Sequence, residues 1–519
     1  MSKKKKKAQG LPPRKLWLQG YLLLMFTLFP VYCTDGFFNV RHDRYNLFLI
    51  LSFVALAGAW LLGVTGSPKE KKSYAVRTAE AANAKGRFPR LTITDWAMLG
   101  FLLCCVISTL LSEHPKDSLL GTAGRNNGLL LMAVYVTVYF LVSRSGQCKG
   151  FLFPALALTT GFVSLVAVLN FFCLDPLNML EPLTERDKLR FFSTIGNKNL
   201  LSAFLCITVP ALVTWFVHSP QKYISWLCPV AAGLGFAAMM VADSDSGFLG
   251  MGAFVGVSLV WYARDPGKLK RFLLSLTLML LCARLLTLFP GENKGMGMLQ
   301  SALVRSPGSL CLLGVLAAQT VLLYVLHHRA PKGTIHPALQ WTLAGVLGCG
   351  LLTCLGLMYY FTAVSPETTL EAPWNLLRID DRWGTNRGFM WLRSMEIYEQ
   401  APFLQKLFGT GPDTFYYAFR PYFEDLSKLG DSSTNAAHNE YINYLITLGA
   451  PALGCYLAAV LSAMARGLHS ARKDPARAAA FAAVLCCAVQ ALVNIAQPIT
   501  TPLFILFLAI SAGDKKTAR

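Results

Sequence analysis

The sequence predicts an all-α polytopic membrane protein with about 12–14 transmembrane helices and one large, partly helical extracytoplasmic loop. Three observations support this. Hydrophobic residues make up 54 % of the 519 positions and charged residues only 15 %, whereas a soluble domain is about a quarter charged. Apolar runs of the roughly 20 residues that cross a bilayer recur along the whole length. Between them, Lys and Arg gather in the short segments on the side of the amino terminus, as the positive-inside rule requires of cytoplasmic segments.

The elements follow in order. Residues 1–15 form a basic cytoplasmic tail, with five consecutive lysines at 3–7. The first apolar run, near 16–33, lacks the small-residue cleavage site of a secretory signal, so it stays in the chain. Further spans are expected near 46–64, 95–112, 128–142, 151–174, 199–217, 223–242, 246–263, 272–289, 309–326 and 339–363. These make eleven spans within residues 16–363, interrupted by a basic cytoplasmic linker at 65–94. Residues 364–439 form the large extracytoplasmic loop. Three more runs, near 440–465, 478–497 and 499–513, lie in the carboxy-terminal membrane region 440–513. A short cytoplasmic tail, 514–519, ends the chain.

The formal net charge is +20. Its location argues for membrane lipid rather than nucleic acid as the partner. The lysines at 3–7 and the basic stretch 69–90 sit where an anionic inner leaflet would hold them, each charge contributing about 1 kcal/mol. The fourteen cysteines form no CxxC pair and stand at no metal-ligand spacing with histidine, so they read as small apolar fillers. Neither a metal nor a cofactor is called for.

The large loop is rich in aromatic residues, including Trp383, Trp391, Phe415, Phe419 and Phe423. That is enough to pack a small subdomain on the bundle. "RGFMWLRSMEIYEQ" has helical periodicity that places Phe389, Leu392, Met395 and Ile397 or Tyr398 near one face. "FGTGPDTF" is a Gly/Pro turn. "YYAFRPYFEDL" has the amphipathic, aromatic character of a segment at headgroup level.

Charge deep within spans, which proton relays and ion couplings need, is scarce. Arg284 lies close enough to a span end to snorkel, and Asp243 and Asp245 fall at a span end where water reaches them. The extracytoplasmic face instead offers arginines and one histidine beside span starts: Arg125, Arg190, Arg382, Arg387 and His438. A lone basic residue in a loop is ordinarily a solvated side chain, but their recurrence beside span starts favours a shared cavity. With a helix beginning near residues 434–435, His438 falls in its first turns beside Asn439 and Tyr441. A helix amino terminus disfavours the imidazolium, leaving a neutral base. Guanidiniums stay charged and match phosphate in a bidentate fork. Such a set suits a hydroxyl attacking a sugar held on a lipid diphosphate, with the diphosphate leaving. The same residues fit a structural role at a helix start equally well.

Four stretches resemble the O-antigen ligase and polymerase superfamily of bacterial surface-polysaccharide enzymes. "FFSTIGNKNLLSAFL", preceded by Arg190, is similar to the family's arginine followed by Gly-Asn-x-Asn at a span start. "TNRGFMWLRSMEIYEQAPFLQKLFGTGPDTF" resembles the block that opens its large loop, and "AHNEYINYLITLGAPALG" the block that closes it. "GRNNGLLLMAVYV" resembles a fourth, looser block. The resemblance implies a GT-C-like membrane glycosyltransferase, metal-independent and inverting. Its donor would be an undecaprenyl-diphosphate-linked glycan, and its acceptor a hydroxyl on a glycan, lipid or protein. By the same resemblance, Arg190 and Arg387 hold the diphosphate and His438 activates or orients the acceptor hydroxyl. Arg125 and Arg382 are further substrate-binding candidates, with Asn439 and Tyr441 behind them. The competing reading is a flippase or transporter for the lipid-linked glycan, which would call for charge deep in spans and a repeat between halves. Neither is evident.

Overall fold

The computed structural model describes residues 13–65, 91–122, 124–145, 148–188, 190–220, 223–288, 296, 298–329, 335–371 and 374–513. The basic residues at 3–7, nearly all of the 65–94 linker and the 514–519 tail lie outside them. All fourteen apolar segments form helices. Among the described residues, ten helices are long and apolar enough to cross a membrane. Leu129–Ser145 and Thr501–Ala512 are apolar but shorter, and Pro13–Thr27 and Asp245–Tyr262 also fall outside the ten. The chain is thus an all-α polytopic membrane protein. Its only strands among the described residues are a two-residue hairpin pairing Phe191–Phe192 with Gly196–Asn197.

Local chemistry starts these helices where the sequence allows it. Thr92 and Asp95 close a capping box at the head of Ile93–Leu111, satisfying two backbone donors reciprocally. Asn197 caps Lys198–His218 by accepting from the Asn199 amide. That helix is buried along its whole apolar length and forms the axis of the bundle. It packs against Leu152–Phe171, Leu227–Ala242, Asp245–Tyr262 and Pro475–Gln490. Small residues let the backbones meet: a Cβ on Gly250 would come within 2.6 Å of the Cys486 carbonyl oxygen. Pro337–Val364, by contrast, buries none of its apolar stretch and stands at the lipid-facing edge. Arg284 donates to the Ser306 carbonyl and to Ser309 Oγ, so a neighbouring helix start takes its charge.

Two departures from the sequence reading shape the site. The run expected at 440–465 is two helices, Glu440–Leu448 and Ala450–Ser470, broken at Gly449 with φ +83°. A Cβ on Gly449 would lie 2.2 Å from the Leu407 carbonyl oxygen, so only glycine permits the crossing. The "FGTG" turn seals the break: the amides of Thr410 and Gly411 donate to the carbonyls of Ile446 and Thr447. The second departure lies in the last pair of helices. Pro475–Gln490 continues as a short 3-10 turn, Ala491–Val493, and the backbone stays non-helical until Thr501. Thr501–Ala512 is ~18 Å long at 1.5 Å per residue, well short of a bilayer's hydrocarbon core.

The 364–439 segment packs a small core of Phe389, Met390, Phe415, Phe419, Leu426 and Ala437, completed by Ile446 of the following helix, with Trp391, Ile397 and Tyr398 against it. Leu392 and Met395, expected on the buried face, are exposed. The helix that carries them starts only after a left-handed turn at Gly384, Thr385 and Asn386, and this rotates its buried stripe to Phe389, Met390 and Ser394. The aromatic stretch from Phe415 onward forms short helices whose Phe419 and Leu426 enter this core.

Candidate active site

The site is built where the 364–439 segment meets the bundle. His438 does not lie inside a helix. Asn439 is the N-cap of Glu440–Leu448, its Oδ1 accepting from the amides of Tyr441 and Ile442 at 3.0 and 3.1 Å. His438 therefore precedes the helix, with φ +51°, an uncommon conformation for a residue with a Cβ.

The strap leading to it, residues 434–439, is pinned from several elements. Arg125 Nη1 donates to the Asn435 carbonyl at 2.6 Å, Trp391 Nε1 donates to the Ala437 carbonyl at 3.0 Å, and the Ala437 amide donates to Asn443 Oδ1. The imidazole itself makes no hydrogen bond among the described residues and is half-buried. Burial, then the nearby Arg387 and Arg125 guanidiniums, push its proton affinity down, to a pKa of about 4, against a smaller opposing pull from Asp431. At neutral pH the ring is uncharged and free to accept a proton.

Arg387 and Arg125 flank the imidazole in different states. Arg125 is 3 % exposed, and its Nε lies 3.1 Å from Asp413 Oδ1. Asp413 also accepts from the amides of Thr122 and Asn127 and from the Thr122 hydroxyl. Arg125 thus clamps the 121–128 turn to the "FGTGPDTF" turn. Arg387 is half-buried with no ion pair among the described residues, and its guanidinium lies in the fields of His438 and Asp245. Burial lowers its proton affinity and Asp245 restores part of it. The turn that launches it holds Thr385 and Asn386 at φ +60° and +65°, and Asn386 Nδ2 donates to Asp431 and the Leu429 carbonyl. With Asn126 and Asp413, five non-glycine residues of positive φ surround the site. Strained backbone of this kind persists where the surroundings over-determine it and gathers at functional sites.

The other sequence candidates fall elsewhere. Arg190 is exposed on the hairpin ahead of Lys198–His218, and its guanidinium makes no hydrogen bond or ion pair among the described residues. Arg382 is exposed just before Trp383, its amide held by Asp380. Asn439 is engaged as a cap. Tyr441 Oη donates to the Ala488 carbonyl at 2.6 Å, joining two helices rather than facing the imidazole. Sequence reasoning missed Asp413, the buried partner of Arg125, and Arg41, an exposed arginine at the start of Val40–Thr65 within electrostatic reach of Arg125. The aspartate within "FGTGPDTF" was the available signal for the first. It also missed Asp245 as a charge facing Arg387.

Among the described residues no group of three or more His, Cys, Asp or Glu side chains is placed to hold a metal. The arrangement offers a neutral proton acceptor within electrostatic reach of a guanidinium that has no ion pair among the described residues, on a frame clamped by a buried ion pair.

No curated protein matches the chain. Residues 230–457 match the family model described as O-antigen ligase, a stretch that contains Arg382, Arg387, Asp413 and His438 and stops short of Arg125 and Arg190. Over this stretch the chain is similar to the O-antigen ligase family, which supports a membrane enzyme of that type.

Proposed function

We propose that this enzyme transfers a glycan from an undecaprenyl-diphosphate carrier to an acceptor hydroxyl at the extracytoplasmic face of the cytoplasmic membrane, without a metal and with inversion at the anomeric carbon. One observation supports this above the rest: a neutral imidazole within electrostatic reach of an arginine that makes no hydrogen bond or ion pair among the described residues. His438 takes the proton of the acceptor hydroxyl as its oxygen attacks the anomeric carbon. The bond from that carbon to the diphosphate oxygen breaks, and the electron pair leaves with the diphosphate. Arg387 meets the charge on the leaving group, with Arg190 as the second guanidinium, and Arg125 and Asp413 hold the frame. A bound diphosphate would offset the guanidinium charge that depresses His438, raising the base toward the range where proton transfer is efficient. The 364–439 segment and the membrane region 440–513 then act together, the first supplying Arg387 and the second beginning just after His438.

The test is turnover of the reconstituted protein on an undecaprenyl-diphosphate oligosaccharide, wild type against His438→Ala. Release of free undecaprenyl diphosphate should require an acceptor and fall at least about a hundredfold in the variant. Equal turnover by a folded variant that still binds donor would remove the histidine from the chemistry. Movement of the lipid between leaflets without transfer would replace the whole reading with a flippase.

A further inference from the structure

Glu440 follows His438 by two residues and is almost fully buried, 3 % exposed. Its Oε2 accepts from the Ala496 amide, a contact across 56 positions of sequence. The Tyr444 hydroxyl faces the same carboxyl group. The side chain lines a cavity of about 50 Å³ with Tyr135, Tyr444, Tyr456, Gln490 and Thr501.

Ala496 sits in the non-helical break between Ala491–Val493 and Thr501–Ala512. Backbone that leaves a helix within a bundle must find partners in the protein; here some are local, the Ile495 amide donating to Asn494 Oδ1, and others tie the break to distant elements. Asn127 Nδ2 donates to the Ala496 carbonyl, Asn494 Nδ2 donates to the Asn199 carbonyl, and the Gln497 amide donates to Thr501 Oγ1. Asn127 lies two residues after Arg125, and its amide donates to Asp413. The break therefore joins the turn bearing Arg125 to the helix start that follows His438, and Glu440 supplies the second of those connections.

From these contacts we infer that Glu440 is a positioning residue: its bond to the Ala496 amide sets the His438 strap against the interrupted span. The inference rests on the transferase reading for its effect on turnover, but the mechanical link stands independently of it. A carboxylate fits the role because the acceptor it offers is fixed from both sides. Asn439 pins the helix start on one side, and the 494–500 backbone pins the amide on the other.

The experiment compares Glu440→Ala and Glu440→Gln with wild type in lipid, by hydrogen exchange over residues 434–439 and 494–500 and by turnover with separately measured donor binding. The alanine variant should exchange at least about tenfold faster in both segments. Its kcat should fall at least about tenfold with donor affinity little changed, since a small misplacement of a reacting group is costly. The glutamine variant keeps an oxygen able to accept from Ala496 and should recover both. Unchanged exchange over 434–439 in the alanine variant would overturn the link. Faster exchange with kcat intact would overturn the positioning role, and a glutamine variant as impaired as alanine would show that the bond to Ala496 is not what matters. Should wild type transfer no glycan, the exchange data would still decide the link, and only the transferase reading would fall.

Discussion

Two arginine-bearing turns face the same histidine and differ in almost every other respect. The 121–128 turn presents Arg125 to Asp413 and to the Asn435 carbonyl, and both charges are lost to solvent. The 384–387 turn presents Arg387 with no ion pair, half-buried, and its strain is held by Asn386. A buried charge with its partner in place is a structural device, because removing either partner leaves the other stranded in a poor solvent. A charge held at the same place without a partner keeps its hydrogen-bonding capacity for something else. Residue type does not separate these two arginines; what separates them is whether the protein already satisfies them.

The largest expected effect tests the first half of that contrast. Arg125→Ala should strand Asp413 and destabilise the fold by about 3–5 kcal/mol, read as a lowered thermal midpoint in detergent. Removing the partner as well, in Arg125→Ala with Asp413→Ala, should return part of the loss, because no buried charge is then left alone. A single variant as stable as wild type would mean that the clamp is not structural, and Arg125 would rejoin Arg387 as an open guanidinium.

Arg387→Ala tests the second half. Its melting should shift little, while turnover should fall about a hundredfold, within the range seen when one preorganised donor to a developing charge is removed. Arg387→Lys should recover only part, since an ammonium lacks the planar fork that meets two phosphate oxygens. A large fall in stability in either variant would erase the contrast.

The sequence made the helices legible because apolar runs of spanning length need no partner to be recognised. His438 was legible as a residue at the edge of an apolar run and Arg387 only as an arginine of the large loop; that the two lie within electrostatic reach of each other was not. What stayed hidden depended on residues far apart in the chain. Nothing local marks Asp413 as the partner of Arg125. The break at Gly449 lies inside a continuous apolar stretch, and the reason for it is the Leu407 backbone packed against it. The left-handed turn at Gly384, Thr385 and Asn386 turned the following helix, so its periodicity was right and its phase wrong. The helix-dipole argument for a neutral His438 also gave way. The imidazole precedes the helix, and burial with two arginines supplies most of the effect.

That cause has its own test in pH dependence. With its pKa near 4, His438 stays neutral in the free enzyme as pH falls from 7 to about 5. The limb of kcat/KM due to His438, which reports the free enzyme, should therefore fall only near pH 4 rather than near the ordinary imidazole value of about 6.5. The corresponding limb of kcat, which reports the donor complex, should lie at higher pH, because the diphosphate offsets the two guanidiniums. Since the unfolded chain protonates more readily, this residue's contribution also lowers folded-state stability as pH drops from about 6.5 toward 4. Coincident limbs for kcat and kcat/KM would mean that the donor does not enter between the arginines and the imidazole.

The smallest effects separate openness from placement. Tyr441→Phe removes a hydroxyl already committed to the Ala488 carbonyl. It should cost about 0.5–1.5 kcal/mol of stability and leave turnover in place. Arg382 is the sharper control, for it resembles Arg387 in having no partner for its guanidinium among the described residues yet lies exposed before the left-handed turn rather than after it. If being unsatisfied were enough, Arg382→Ala and Arg387→Ala would impair transfer alike. If what matters is a guanidinium brought over the imidazole by the turn, Arg382→Ala should change stability by no more than about 0.5 kcal/mol and leave donor affinity and kcat close to wild type. An Arg382 variant as inactive as the Arg387 variant would extend the binding surface across the whole turn, and the 384–386 strain would then serve to present two arginines rather than one.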